Sequence, residues 1–432
     1  MDRWSQLLTA SRLRPSEGPA PGDEGNHFLS DYYRVVFASS FRRLQDKTQV
    51  KPLAETDYVR RRLTHSFEVA AIGERMGRVV AQQLAGRMSV DNARDAVGKV
   101  VATACLLHDI GNPPFGHEGE LAIRSWADAS ATGSADYRCF DGNAQGFRIA
   151  VRLQHLGKMF GMNLTATTLA SMLKYPNTPK IQDIGVSTTV GDRGKWSVLS
   201  SERPQYERVA ALVGMGHGQR HPLSYLVEAA DDIVNRLVDV EDAVKLKLID
   251  YVEVCDVLSA VDGVASKGLL EKMEAHRKFI KDGTNAEKQL WAYQYFRVHA
   301  TTTLAQACER VFCAEIDNLE AGQFSGDLIG SCEHAPLYKA IKKLESDKIF
   351  GDAQIVRIET GGKKAIEGLL NIFLLELNAG SKLAKTMPEP MPADTDVAED
   401  PHASVRRVVD YVAGMTDRYA IDLYQELSGM SL

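Results

Sequence analysis

Several things are scarce in this chain of 432 residues. There are six cysteines, Cys105, Cys139, Cys255, Cys308, Cys313 and Cys332, with no CxxC pair and no regular spacing. That excludes a disulfide frame and reads as free thiols of a reducing compartment. No apolar run approaches the ~18 residues that a membrane span requires, so no membrane partner is expected. Met1 to Leu13 has charges at Asp2 and Arg3 and no apolar core, which argues against a signal peptide and for a cytoplasmic protein. Basic residues are no excess either: 51 Lys and Arg face 57 Asp and Glu, a formal charge of −6. A surface coated in positive charge for duplex nucleic acid is therefore excluded, but a local pocket for a small anion is not. Histidine is sparse too, eleven in all, so the position of each is informative.

What is present is an ordinary globular composition, 44% hydrophobic and 25% charged, which excludes wholesale disorder. Two stretches lack periodicity and are rich in Pro, Gly or acid, residues 15–26 (PSEGPAPGDEGN) and 386–401 (TMPEPMPADTDVAEDP). They divide the chain into a flexible N-terminal segment (1–29), a large core with a helical C-terminal lobe (30–385), a Pro-rich acidic loop (386–401) and one last helix within 402–432. The dominant period between them is 3.6, which predicts an all-α, mainly helical fold. A small β-hairpin near 181–200 is the exception, where glycines and β-branched residues cluster.

Three helical stripes carry a polar residue at or beside the apolar face. His65 opens a helix whose stripe is Val69, Ile72, Met76, Val79 and Leu84. Val97, Val101 and Ala104 lead at helical spacing to His108, which Asp109 follows before Gly111, Pro113 and Pro114 end the helix. Asp231 shares a stripe with Val227, Val234 and Val238. A buried aspartate is costly unless compensated, and one divalent metal would compensate both carboxylates and fix both imidazoles. Read singly, each of these residues is more often a hydrogen-bonded core residue or an ion-pair partner; the adjacent His108-Asp109 pair shifts the balance toward a metal.

His65, His108-Asp109 and Asp231 resemble the H…HD…D motif of the HD-domain phosphohydrolases. The blocks SSFRRLQDKTQV (39–50), RRLTHSFEVA (61–70), LLHDIGNPPFGHEGE (106–120), FDGNAQGFR (140–148), LKYP (173–176) and RHPLSYLVEAADDI (220–233) resemble the deoxyguanosine triphosphate triphosphohydrolase branch. Beyond residue 240 the clearest piece is IETGGKKAIEGLL (358–370). The resemblance implies a helical HD fold, a divalent metal (Mn²⁺ or Mg²⁺) on His65, His108, Asp109 and Asp231, and hydrolysis of a deoxynucleoside triphosphate (dNTP), dGTP favoured, to deoxynucleoside and tripolyphosphate. Such a reaction expels a sugar alkoxide, a poor leaving group, so it needs a Lewis acid and a positioned proton donor.

His117, nine residues after His108, is the expected donor, with Glu120 to orient it. A triphosphate carries about four negative charges, and by resemblance Arg62, Lys174, Tyr175 and Lys195 face it. Gln49 and Val50 match positions at the sugar, and a close apolar wall at Val50 would reject a 2′-OH. Asp239 matches another polar site position. Asn235 departs from the tyrosine common in the family, so it offers hydrogen bonds where relatives offer an aromatic face. The family implies a homo-oligomer, hexamer or tetramer, and a nucleotide effector. The basic pairs Arg42-Arg43 and Arg406-Arg407 also leave room for a local groove for single-stranded nucleic acid. Two other readings stay open: an HD phosphohydrolase acting on another nucleotide as a phosphomonoesterase or phosphodiesterase, and a nucleotide-binding regulator without turnover, which Asn235 favours most.

Overall fold

The computed structural model describes residues 3–14, 27–49, 53, 60–88, 92–130, 134–156, 159–179, 194–261, 263–348, 353–387 and 402–430. Helices dominate it, as the 3.6 period predicts. Those that frame the site are α1 (His27–Val36), α2 (Arg62–Gln83), α3 (Ala93–Leu107), α4 (Gly116–Ala129), α5 (Gly142–Arg148), α6 (Pro222–Lys245), α7 (Asn285–Ala314), α8 (Ala335–Lys348), α9 (Ala353–Asn378), α10 (Ala403–Ala413) and α11 (Asp417–Leu427). Strand structure among the described residues is one antiparallel pair, β1 (His155–Leu156) with β2 (Met159–Phe160), in which His155 faces Phe160. The hairpin expected near 181–200 falls largely on residues 180–193, outside those described; residues 194–199 carry no strand and lead into a tight turn at Ser200–Glu202.

Two apolar cores hold the helices. The larger takes α2, α3, α6 and α7, with Val69, Val101, Leu226 and Phe296 among its members. Close approach of α2, α3 and α6 depends on Gly73, where a Cβ would lie 2.6 Å from the Cys105 sulfur and 3.7 Å from the Ala230 methyl. Protein interiors have no slack for such an addition, so glycine here lets the three stripes converge. The second core joins α4 (Ile123, Trp126) to α9 (Ile366, Leu370, Phe373) and α10 (Val408, Val409, Val412), and Phe115 lies in it.

The ends of the chain differ from expectation. Residues 402–428 form two helices, not one: α10 stops at Gly414, and the Thr416 side chain caps α11 by accepting from the Tyr419 N–H at 3.4 Å. The stripe of valines in α10 had masked that break. Within the stretch 1–29, the described residues 3–14 are anchored. Trp4 and Leu7 are fully buried, and Arg12 pairs with the buried Asp31 at 2.6 Å. Residues 15–26 and 388–401 lie outside the described residues.

Candidate active site

The convergence of α2, α3 and α6 brings the four expected metal ligands together. His65 projects from the first turn of α2, fully buried, and its Nε2 lies 3.2 Å from an Asp231 oxygen of α6. His108 caps the end of α3, with Nε2 3.4 Å from that same oxygen and 3.3 Å from Asp109. The two imidazole centroids stand 5.3 Å apart, and the ligand-capable atoms of His65, His108 and Asp109 fall within 4.8 Å of one another.

The donor set fits a divalent cation. The His108 Nδ1 is 2.6 Å from the Cys105 carbonyl, which can only accept, so Nδ1 carries a proton and Nε2 is the nitrogen aimed at the carboxylates. Burial opposes a charge on His108, yet Asp109 and Asp231 overcome it and push its pKa up to about 9. The pocket therefore favours positive charge at the point where both carboxylates and both imidazoles meet. Asp109 is held well below the usual carboxylate range: burial opposes this, and Arg62 and His108 outweigh it.

Supporting contacts orient these groups. Arg62 donates to Asp109 at 2.5 Å, and the Asn112 amide donates to its other oxygen at 2.5 Å. Asn235, one turn after Asp231, donates to it at 2.8 Å and accepts from Gln49 at 2.7 Å. The departure at Asn235 thus places an amide between the metal set and the Gln49 segment. Val50 lies outside the described residues.

The second group centres on Glu120 of α4, which is buried. Its Oε2 lies 3.4 Å from Nδ1 of His117 and 3.7 Å from Lys195, while Oε1 accepts from the Gly142 N–H at 2.7 Å. Burial works against ionisation, but His117, Lys195 and Arg124 keep Glu120 below its ordinary pKa. His117 itself is 62% exposed. Tyr175 and Ser197 exchange backbone and hydroxyl hydrogen bonds at 2.9 Å, which join the segment of Lys174 and Tyr175 to the segment of Lys195. Lys174 pairs with Glu228 at 3.0 Å; burial alone would lower its pKa, and Glu228 and Asp232 raise it instead.

Asp239 stands apart from these groups. It is buried, and burial together with Glu345 pushes its pKa well above the usual range. Arg406 donates to the Tyr137 hydroxyl and Arg407 to the Met387 carbonyl, contacts that tie α10 to its neighbours. Asp417 of α11 is the residue at the site that sequence reasoning missed. It accepts from Thr48 and from the Phe115 N–H. An acid in the first turn of a last helix carries no signal of such a contact.

The HD domain family matches residues 62–154, and the phosphohydrolase-associated domain matches residues 331–426. The chain is 34% identical to a deoxyguanosinetriphosphate triphosphohydrolase-like protein of Synechocystis sp., covering 99% of this chain and 100% of that protein. It is 33% identical to one of Pseudomonas aeruginosa, with 99% of each covered. A deoxyguanosinetriphosphate triphosphohydrolase of Serratia proteamaculans is 30% identical over 96% of each chain. With three of the four expected ligands, His65, His108 and Asp109, inside the matched domain and 99% of its length shared with these relatives, the chain belongs to the deoxyguanosinetriphosphate triphosphohydrolase-like branch of the HD-domain phosphohydrolases.

Proposed function

We propose that this protein hydrolyses a deoxynucleoside triphosphate, dGTP by preference, to deoxynucleoside and inorganic tripolyphosphate, using Mn²⁺ or Mg²⁺. One observation carries the reading. The short run from His108 to Glu120 supplies two ligand-capable groups of a buried metal set and, nine residues on, an exposed histidine oriented by a buried ionised carboxylate. That pairing suits expulsion of an alkoxide, which needs charge stabilisation at phosphorus and a proton at the leaving oxygen.

His65, His108, Asp109 and Asp231 would hold the cation, whose contribution when bound is Lewis acidity at the phosphoryl oxygen and a lowered pKa for water. The protein's own groups do the rest. Glu120 orients His117 through Nδ1, which leaves Nε2 to deliver a proton to the 5′ oxygen of the departing sugar. Arg62, Lys174 and Lys195, with Tyr175 beside Lys174, bind the phosphates, trading their present carboxylate partners for phosphoryl oxygens. Gln49 and Val50 receive the sugar, and Asn235 steadies Gln49 while holding Asp231.

The test is a panel of the four dNTPs and GTP with Mn²⁺ or Mg²⁺, products resolved by chromatography. Deoxynucleoside with intact tripolyphosphate supports the proposal. Orthophosphate or pyrophosphate as the phosphate product would sink it.

A further inference from the structure

We infer that Asp417, on the last helix, is a positioning residue of the active site: its one buried carboxylate ties the segment leading to Gln49 to the loop that carries His117. Only the kinetic part of its test rests on the hydrolytic reading above.

Both oxygens of Asp417 are spent on the site's walls. Oδ2 accepts from the Thr48 N–H at 2.9 Å and from the Thr48 hydroxyl, and Oδ1 accepts from the Phe115 N–H at 3.0 Å. Thr48 precedes Gln49, which bonds Asn235 and through it Asp231. Phe115 lies two residues before His117 and has φ of 60°, a left-handed backbone that an aromatic residue keeps only where its surroundings enforce it. The surroundings come from the C-terminal helices. Besides the Asp417 bond, the Phe115 ring lies on Gly362 of α9, where a Cβ would sit 2.6 Å from it. Lys47 is buried and donates both to the Asn112 carbonyl of the loop and, at 3.0 Å, to the Ala413 carbonyl at the end of α10.

A plain structural role for Asp417 would be to start α11, where an acid in the first turn favours the helix dipole. That helix already has its cap in Thr416. The carboxylate instead satisfies donors more than 300 residues away in sequence, at separations of 369 and 302. A charged acceptor taking backbone N–H groups makes the stronger class of hydrogen bond. Removing the charge while keeping the shape should loosen the loop without unfolding the helix.

The experiment compares Asp417→Asn with Thr416→Ala in the full chain by hydrogen exchange of the peptide spanning 112–118, by Mn²⁺ titration, and by kcat and KM on dGTP. Asp417→Asn is expected to speed exchange in that peptide and to lower kcat about ten- to a hundredfold, the size of effect that misplacing a catalytic group by about 1 Å produces. KM and Mn²⁺ affinity stay near wild type, and Thr416→Ala, which weakens only the helix start, changes neither exchange in 112–118 nor kcat. The inference is overturned if Thr416→Ala reproduces both effects, or if Asp417→Asn leaves exchange and kcat at wild-type values. Should the unmodified protein hydrolyse no dNTP, the hydrolytic reading fails on its own, and exchange in 112–118 still decides the role of Asp417: faster exchange upholds it and unchanged exchange overturns it.

Discussion

Asn235 shows how much one side chain can alter at this site. Its amide stands between Gln49 and Asp231, so it fixes the orientation of a carboxylate that we propose holds the metal. Groups that orient ligands typically contribute ten- to a hundredfold to metal affinity or activity. Asn235→Ala should therefore weaken Mn²⁺ binding by about tenfold, as isothermal titration can measure. His117→Ala should leave metal affinity unchanged and lower kcat by about 10²–10⁴, the usual contribution of a positioned acid; equal loss of metal binding would contradict its assignment. His65, His108, Asp109 and Asp231 were legible in the sequence because each is a charged or titratable group at or beside an apolar stripe. The Gln49–Asn235 bond was not, since its partners are 186 residues apart and no local pattern links them.

At the level of elements, α6 begins on a histidine that works as its cap. His221 is buried, its Nδ1 accepts from the Leu223 N–H at 3.2 Å, and Nε2 bonds the Leu7 carbonyl at 3.1 Å. Burial, with Arg3 adding to it, pushes its pKa down to about 4 from the ordinary 6.5, against the Leu7 carbonyl, which raises it. The unfolded chain then binds more protons than the folded one between those values. The stabilisation is full above pH 6.5 and is lost as pH falls toward 4, roughly 2 kcal/mol of it by pH 5. His221→Asn keeps a capping oxygen and removes the titration, so its thermal midpoint should fall less than that of the wild type between pH 7.5 and 5. Gly362→Ala tests the contact between α9 and the loop that carries His117: with Phe115 in the way, about 1–3 kcal/mol of stability should be lost, measured by thermal unfolding. The helical class was readable from the 3.6 period, because it depends on local spacing alone. The division of 402–428 into α10 and α11 was hidden by a stripe of valines, and the second core was hidden because its members come from residues 115–140 and 366–420.

For the molecule as a whole, charge is decided by local pairing and not by the total. The net charge is −6, and Arg62, Lys174 and Lys195 are each paired with a carboxylate, Asp109, Glu228 and Glu120. Phosphates can displace those partners only if a cation compensates Asp109 and Asp231, which ties substrate binding to metal binding. Removing divalent metal with a chelator should accordingly abolish both hydrolysis and dGTP affinity, as equilibrium dialysis can show. Among the described residues no helix is long and apolar enough to cross a membrane. The most direct test of the central claim is hydrolysis of dGTP in ¹⁸O-enriched water with Mn²⁺, followed by ³¹P spectroscopy. Attack at the α-phosphorus with departure of the sugar predicts tripolyphosphate carrying one ¹⁸O on a terminal phosphorus and unlabelled deoxyguanosine. Labelled orthophosphate or pyrophosphate, or label in the sugar, would contradict it.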